Sequence, residues 1–94
     1  MFNPRSRFEL YLELLTQVHD GNCQLSKLMK CTNLSWPGLN RVMGPLISEG
    51  LLVEVEGAGD TRSEAWYKMT EEGEQLLKSL KLVFSLVDLE NRHN

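Results

Sequence analysis

The sequence predicts an α+β fold that is mainly helical, with the element order α-α-α-β-β-α and a long C-terminal helix. Apolar residues recur with helical spacing over the first half of the chain and again beyond residue 70. Between these parts, two short runs rich in β-branched and aromatic residues flank a glycine-rich stretch. Because 94 residues leave room for one hydrophobic core, we expect residues 1–94 to form a single domain.

The first helix is predicted between Ser6 and His19. Its apolar face consists of Phe8, Tyr11, Leu12, Leu15 and Val18. The segment Asp20-Gly21-Asn22 ends this helix, because glycine adopts the left-handed conformation and Asp and Asn bond to their own backbone.

A second, short helix is expected to end near Thr32-Asn33. Its apolar face consists of Leu25, Leu28 and Met29. The turn that follows lies at roughly Cys31 to Leu34, and two short helices joined by such a turn form a helix-turn-helix motif.

The third helix is predicted over about residues 35–48, since Ser35 is a good N-cap and Pro37 suits the first turn. Its buried side is predicted to contain Leu39, Val42, Met43, Leu46 and Ile47. Pro45 is expected to bend or break this helix, because proline lacks the N–H that would bond to the carbonyl of Arg41.

Two antiparallel strands are predicted over residues 51–56 and 65–69. The intervening residues 57–64 are rich in glycine and polar side chains. This stretch is too long for a tight hairpin turn, so we expect a protruding loop.

The fourth helix is predicted from Thr70, an N-cap candidate, to about Glu90, and it is apolar on more than one face. One stripe has the 4, 3, 4 spacing of a coiled-coil seam and contains Leu76, Leu80, Val83 and Val87. A second group contains Leu77, Phe84 and Leu86. One face packs on its own domain and the other needs a partner, so residues 71–90 are expected to form a homodimer through Leu76, Leu80, Val83, Phe84 and Val87.

The charge distribution favours the N-terminal half as the side that meets an anionic partner. The formal net charge of −3 argues against a protein that coats nucleic acid indiscriminately. Residues 1–48 nevertheless carry five basic and three acidic side chains, whereas residues 49–94 carry five basic and ten acidic ones.

The composition is that of an ordinary globular protein, with no membrane-spanning stretch and no signal-peptide core, so we expect a cytoplasmic protein. The sequence has no nucleophile elbow, P-loop or dinucleotide-binding motif. We therefore expect a protein that is not an enzyme and has no cofactor. His19, Cys23 and Cys31 lack a fourth ligand, so no metal site is expected. Buried structural thiols are favoured, with an intersubunit disulfide or a redox switch as the alternative.

Three segments stand out in this order and spacing: residues 33–36 open the third helix, residues 46–52 join it to the first strand, and residues 66–73 lead into the last helix. Together they resemble the winged helix-turn-helix DNA-binding proteins, in particular small archaeal regulators that end in a long dimerising helix. The resemblance covers nearly the whole chain. It implies binding to double-stranded DNA, with the third helix in the major groove and a wing at residues 57–64 on the backbone or in the minor groove.

Within this resemblance, Asn40 and Arg41 are the candidates for base reading, since Asn can pair with adenine and Arg with guanine. Ser35 and Trp36 lie at the helix start, where they are candidates for phosphate contact, although a Trp at this position often caps the core instead. Arg62 is the candidate wing contact. Further candidates for backbone contact are Lys27, Lys30, Lys68, Arg5 and Arg7.

Two alternatives remain open. The same fold can dock on another polypeptide without binding DNA, with the acidic C-terminal half as part of the interface. It can also form a redox- or ligand-responsive regulator, in which case a small-molecule effector would have to use the dimer interface.

Overall fold

The computed structural model of the protein describes residues 6–55 and 65–91. Its elements are α1 (Arg7–His19), α2 (Leu25–Thr32), α3 (Trp36–Ser48), β1 (Leu52–Val55), β2 (Trp66–Met69) and α4 (Glu71–Asn91). This is the order that the sequence predicts. The predicted wing at residues 57–64, with Arg62, and the candidate Arg5 lie outside the described residues.

Short polar side chains set the helix starts. Ser6 Oγ accepts a hydrogen bond from the Glu9 N–H at 3.1 Å, and the Glu9 carboxylate accepts one from the Ser6 N–H, which forms a capping box at α1. Ser35 Oγ accepts from the Gly38 N–H at 3.4 Å and caps α3. Asn33 ends α2 with a left-handed φ of 58°. The turn of the helix-turn-helix therefore occupies residues 33–35, slightly later than predicted.

The two strands form an antiparallel hairpin in which Leu52 lies opposite Met69 and Val55 lies opposite Trp66. The segment before α2 pairs with the other edge of β2. Gln24 forms an antiparallel bridge with Trp66, and the Tyr67 N–H donates to the Cys23 carbonyl at 2.9 Å. The hairpin is thus hydrogen-bonded to the start of α2, which fixes it against the helix-turn-helix.

The hydrophobic core draws side chains from all four helices and both strands. It contains Leu14, Leu15, Val18, Leu28, Leu39, Val42, Met43, Leu46, Leu52, Tyr67, Leu77 and Leu80. One part of the predicted α1 face is wrong, since Phe8 is 63% exposed and Leu14 is buried instead. Packing against the other elements rotates the buried side of α1 toward Leu14, and Phe8 instead stacks edge-to-face on Tyr11.

Pro45 does not break α3, which continues as an α-helix to Ser48. Proline at position 45 removes the helical donor of one carbonyl, that of Arg41. Both Arg41 and Pro45 lie on the exposed side of the helix, where a carbonyl can bond to water instead. The buried side chains of Val42, Met43 and Leu46 hold the helix on the core on both sides of the proline. The expectation of a break at Pro45 was therefore wrong.

Thr70 caps α4, as predicted, and also joins it by hydrogen bonds to the residues that directly precede β1. The Thr70 Oγ1 accepts from the Gly73 N–H at 3.1 Å and lies 2.6 Å from the Gly50 carbonyl oxygen, to which it donates. The Thr70 N–H donates to the Leu51 carbonyl at 3.1 Å. The start of α4 is therefore held directly against the start of β1.

Candidate nucleic-acid interface

The face of α3 that points away from the core carries the side chains predicted to read bases. The core side of the helix consists of Leu39, Val42, Met43 and Leu46. The exposed positions include Pro37, Asn40, Arg41, Gly44, Pro45 and Ser48. Among the described residues, no hydrogen bond or ion pair engages the side chains of Asn40 and Arg41. Both side chains are therefore available to a ligand that approaches this face.

The start of α3 is also open to solvent. Ser35 is exposed while its hydroxyl oxygen caps the helix, and Trp36 is 46% exposed. Trp36 does not belong to the buried core, so the alternative of a core-capping tryptophan is not what the fold shows. About half of the surface of this large aromatic side chain faces water. Such exposure is unusual for a tryptophan unless a binding partner covers it.

The helix-turn-helix segment carries only positive charge. Residues 21–48 contain no Asp or Glu, and their three basic side chains, Lys27, Lys30 and Arg41, are all exposed. The first turn of α4, in contrast, contains Glu71, Glu72 and Glu74. The helix-turn-helix surface is therefore positive although the net charge of the chain is negative. Residues 21–48 contain no carboxylate that would repel an anionic ligand.

The two faces of the hairpin differ in character. Tyr67 is buried, and burial raises its pKa, with a smaller contribution from the carboxylate of Glu54 on the opposite strand. The other face is exposed and consists of Val53, Val55, Trp66 and Lys68. Lys68 is thus exposed on β2 and open to a ligand. It lies next to a strip of apolar side chains that was not predicted as part of a site.

His19 and the two cysteines do not form a common site. His19 Nδ1 lies 3.0 Å from Glu74 Oε1, so it joins α1 to α4 at a position where both side chains are about half exposed. Cys23 is half-buried and its Sγ donates to the Val18 carbonyl at 3.5 Å, whereas Cys31 is exposed at the end of α2. In the part of the chain that the structure describes, no group of three or more metal-ligating side chains lies together.

The predicted dimerisation stripe of α4 divides between two environments. Leu80 is buried in the core of its own domain, and Leu76 and Phe84 are half-buried against that core. Val83 and Val87 are exposed, together with two residues that the predicted stripe omitted, Leu82 and Leu86. These four side chains, which we call the outer α4 stripe, are each 46–62% exposed.

The outer α4 stripe is exposed among the residues that the structure describes, and helical geometry gives its width. At about 100° per residue, positions 82, 83, 86 and 87 cover about 140° of the helix surface. A helix that exposes so wide an apolar sector is stable when another element covers that sector. None of the helices that the structure describes is long and apolar enough to cross a lipid bilayer.

Comparison with known proteins gives a consistent result. A family model described as winged helix-turn-helix matches residues 4–88. An uncharacterized protein of Methanocaldococcus jannaschii is 26% identical over 84 residues, which cover 89% of this chain and 78% of that protein.

Two solved structures share the fold over most of both chains. The DNA-binding protein Sso10a-2 from Sulfolobus solfataricus has a TM-score of 0.79 at 13% identity, covering 95% of this chain and 88% of that one. A PadR family transcription regulator from Clostridium difficile has a TM-score of 0.80 at 12% identity, covering 89% of this chain and 95% of that one. Identities this low establish the fold alone. The family model spans most of the sequence, however, and the chain therefore belongs to the winged helix-turn-helix family.

Proposed function

We propose that the protein is a cytoplasmic, non-enzymatic transcription regulator that binds double-stranded DNA as a homodimer. The α3 helices enter the major groove, and the wings at residues 57–64 rest on the backbone or in the minor groove. The observation that carries this proposal is the helix-turn-helix surface, which has three exposed cations and no acidic residue over residues 21–48. The names of the structural neighbours, a DNA-binding protein and a transcription regulator, agree with it.

The roles of individual residues follow from their positions. Asn40 and Arg41 project from the exposed side of α3, where an amide can pair with adenine and a guanidinium with guanine. Lys27 and Lys30 lie on α2, the helix that crosses the backbone in a helix-turn-helix complex. Phosphate contacts by further candidates would complete the interface, and these are Ser35, Trp36, Arg62, Lys68, Arg5 and Arg7.

Homodimerisation is supported by the outer α4 stripe. A second copy would cover Leu82, Val83, Leu86 and Val87 with the same four side chains, as in any two-fold symmetric contact. Three exposed helix-turn-helix cations are few for a DNA-binding protein, and two copies on one duplex double that number. In this arrangement Leu76, Leu80 and Phe84 position the helix on its own domain and contribute less to the contact between subunits.

A mobility-shift assay on genomic fragments tests the function. Wild-type protein should retard DNA at low salt, and Arg41→Ala combined with Arg62→Ala should bind more weakly, because the first change removes the proposed guanine contact. The salt dependence should also be shallower, because the second change removes a proposed phosphate contact and so reduces the number of released counterions. Lys78→Ala is a matched control, since it removes an exposed cation from α4 and should leave binding unchanged. Failure of the wild type to bind at low salt would refute the proposal.

Sedimentation tests the dimer separately. A chain truncated after Ser79 lacks the outer α4 stripe and should sediment as a monomer. The double substitution Val83→Glu plus Leu86→Glu should give the same result in a full-length chain, because it places carboxylates in an apolar contact. If both variants remain dimeric, another surface joins the subunits.

The strip formed by Val53, Val55 and Trp66 favours a second candidate function, in which this face of the hairpin docks on another polypeptide. Under this alternative, Trp66→Ala would abolish binding to the partner polypeptide, and the wild type would not bind DNA. The mobility-shift assay therefore separates the two candidates.

A further inference from the structure

One edge of α3 combines an amide with exposed apolar side chains, and we call Trp36, Asn40 and Ile47 the amide flank. At about 100° per residue, these positions lie within about 40° of one another on the helix surface. Trp36 is 46% exposed and Ile47, which the sequence analysis placed in the core, is 36% exposed. Two large apolar side chains therefore share one edge of the proposed recognition helix with Asn40.

The neighbouring Gly44 keeps this part of the helix free of side-chain bulk. Apart from its chain neighbours and its own helix backbone, an added Cβ at Gly44 would have no atom within 4 Å, so the space outside the helix is open there. Gly44 lies one turn after Asn40 and near the centre of the exposed face. A groove can thus approach the α3 backbone closely at Gly44, which brings the flanking side chains within reach of base edges.

The chemistry of the major groove gives the amide flank a partner. Asn pairs in a bidentate manner with the N6 and N7 atoms of adenine, and the C5 methyl group of thymine provides the apolar contact in this groove. Along the helix axis, Trp36 lies about 6 Å before Asn40 and Ile47 about 10 Å after it, at 1.5 Å per residue. These distances correspond to about two and three base-pair steps of about 3.4 Å.

We propose that α3 selects A·T-containing sites, in which Asn40 binds an adenine while Trp36 and Ile47 contact thymine methyl groups on either side of it. This inference rests on the proposed function and specifies which DNA sequences the exposed face of α3 binds. Apolar contacts replace charge as the source of sequence preference, which fits a recognition helix with Arg41 as its single charged residue.

The experiment removes the methyl groups and leaves the protein intact. Duplexes selected by the wild type from a randomised pool are resynthesised with deoxyuracil at one thymine at a time, and the dissociation constants are measured at fixed salt. We expect A·T enrichment in the selected pool. Loss of a contacted methyl group should weaken binding about fourfold. This factor corresponds to about 0.8 kcal/mol, the free energy gained by burying one methylene-sized group.

Protein variants assign each methyl contact to a side chain. In Ile47→Ala, one thymine should lose its sensitivity to deoxyuracil, and in Trp36→Ala a different one should, because each variant removes the partner of one methyl group. Phe8→Ala is the control, since Phe8 is an exposed apolar residue on α1 outside the proposed interface, and it should retain the full fourfold effect at both positions. Circular dichroism confirms that each variant is folded.

Two results would overturn the inference while leaving the proposed function intact: equal binding of thymine and uracil duplexes, or the same uracil effect in all three variants. The first of these would show that the thymine methyl groups contribute nothing to binding. Absence of binding to every duplex would refute the proposed function together with this inference.

Discussion

Replacement of Gly73 by alanine should destabilise the protein, although alanine favours helices. Gly73 lies in the first turn of α4, and an added Cβ would collide with the carbonyl oxygen of Leu51 and approach Met69 Cγ to 2.7 Å. The Met69 side chain can turn away. The Leu51 carbonyl cannot move freely, because it accepts the hydrogen bond from the Thr70 N–H that joins β1 to α4.

The expected magnitude follows from two opposing effects. Alanine in place of glycine stabilises a helix by about 1 kcal/mol, and forcing extra atoms into a packed site costs about 1–3 kcal/mol. Because the obstacle is main chain, we expect a net loss of about 1–2 kcal/mol. For a domain of this size, each kcal/mol lowers the melting temperature by about 4–8 °C.

Gly38→Ala is the matched control, because Gly38 is likewise the third residue of its helix, and an added Cβ there would approach no side chain closer than Ser35 Oγ at 3.4 Å. This variant should gain about 0.5–1 kcal/mol. Thermal unfolding followed by circular dichroism compares both variants with the wild type at equal protein concentration, since a dimer's melting temperature depends on concentration. If Gly73→Ala is as stable as Gly38→Ala, the close contact between Gly73 and the Leu51 carbonyl does not exist as described.

Three further predictions concern stability. The free energy of unfolding should fall above about pH 10, because the pKa of Tyr67 is raised in the folded state and the unfolded chain releases the phenol proton first; urea titrations should show a smaller fall in Tyr67→Phe. Glu74→Gln should change the free energy of unfolding by less than about 1 kcal/mol, because the pair with His19 is solvated, and a larger loss in thermal unfolding would contradict this. Pro45→Ala should stabilise the protein by about 1–2 kcal/mol in urea unfolding, since the Arg41 carbonyl regains its donor; a loss would show that the proline is required.

The element boundaries could be predicted from the sequence because they depend on local chemistry. Ser35 and Thr70 cap the helices that follow them, and the N–H of the third helical residue reaches each hydroxyl oxygen. Asn33 supplies the left-handed residue between α2 and α3. Such signals act over three or four residues, so they do not depend on the rest of the fold.

The buried side of each helix was harder to predict, because tertiary packing selects it. Both Phe8 and Leu14 lie on plausible apolar faces of α1, and only contact with the other elements buries Leu14. In α4, Leu80 packs inside the domain, whereas Leu82 and Leu86 extend the exposed sector. The close approach of Gly73 to Leu51 joins residues from different elements, and no local pattern indicates it.

The candidate interface shows the same division. The absence of acidic residues from positions 21–48 can be read from the sequence and indicates where an anion would bind. The exposure of Trp36 and Ile47 could not be read in this way, because apolar residues on a helix are usually assigned to the core. The departure of these two side chains from that rule is what suggests a contact with thymine.

The central claim is that two helix-turn-helix surfaces bind one duplex, and the salt dependence of DNA binding tests it most directly. The described lysines proposed to contact phosphates are Lys27, Lys30 and Lys68, and two subunits supply six of them, which predicts a slope of about −5 for log K against log[salt]. The Val83→Glu, Leu86→Glu variant should give a slope of about −3 as a monomer. A slope near zero for the wild type, or the same slope for a variant shown to be monomeric, would contradict the account.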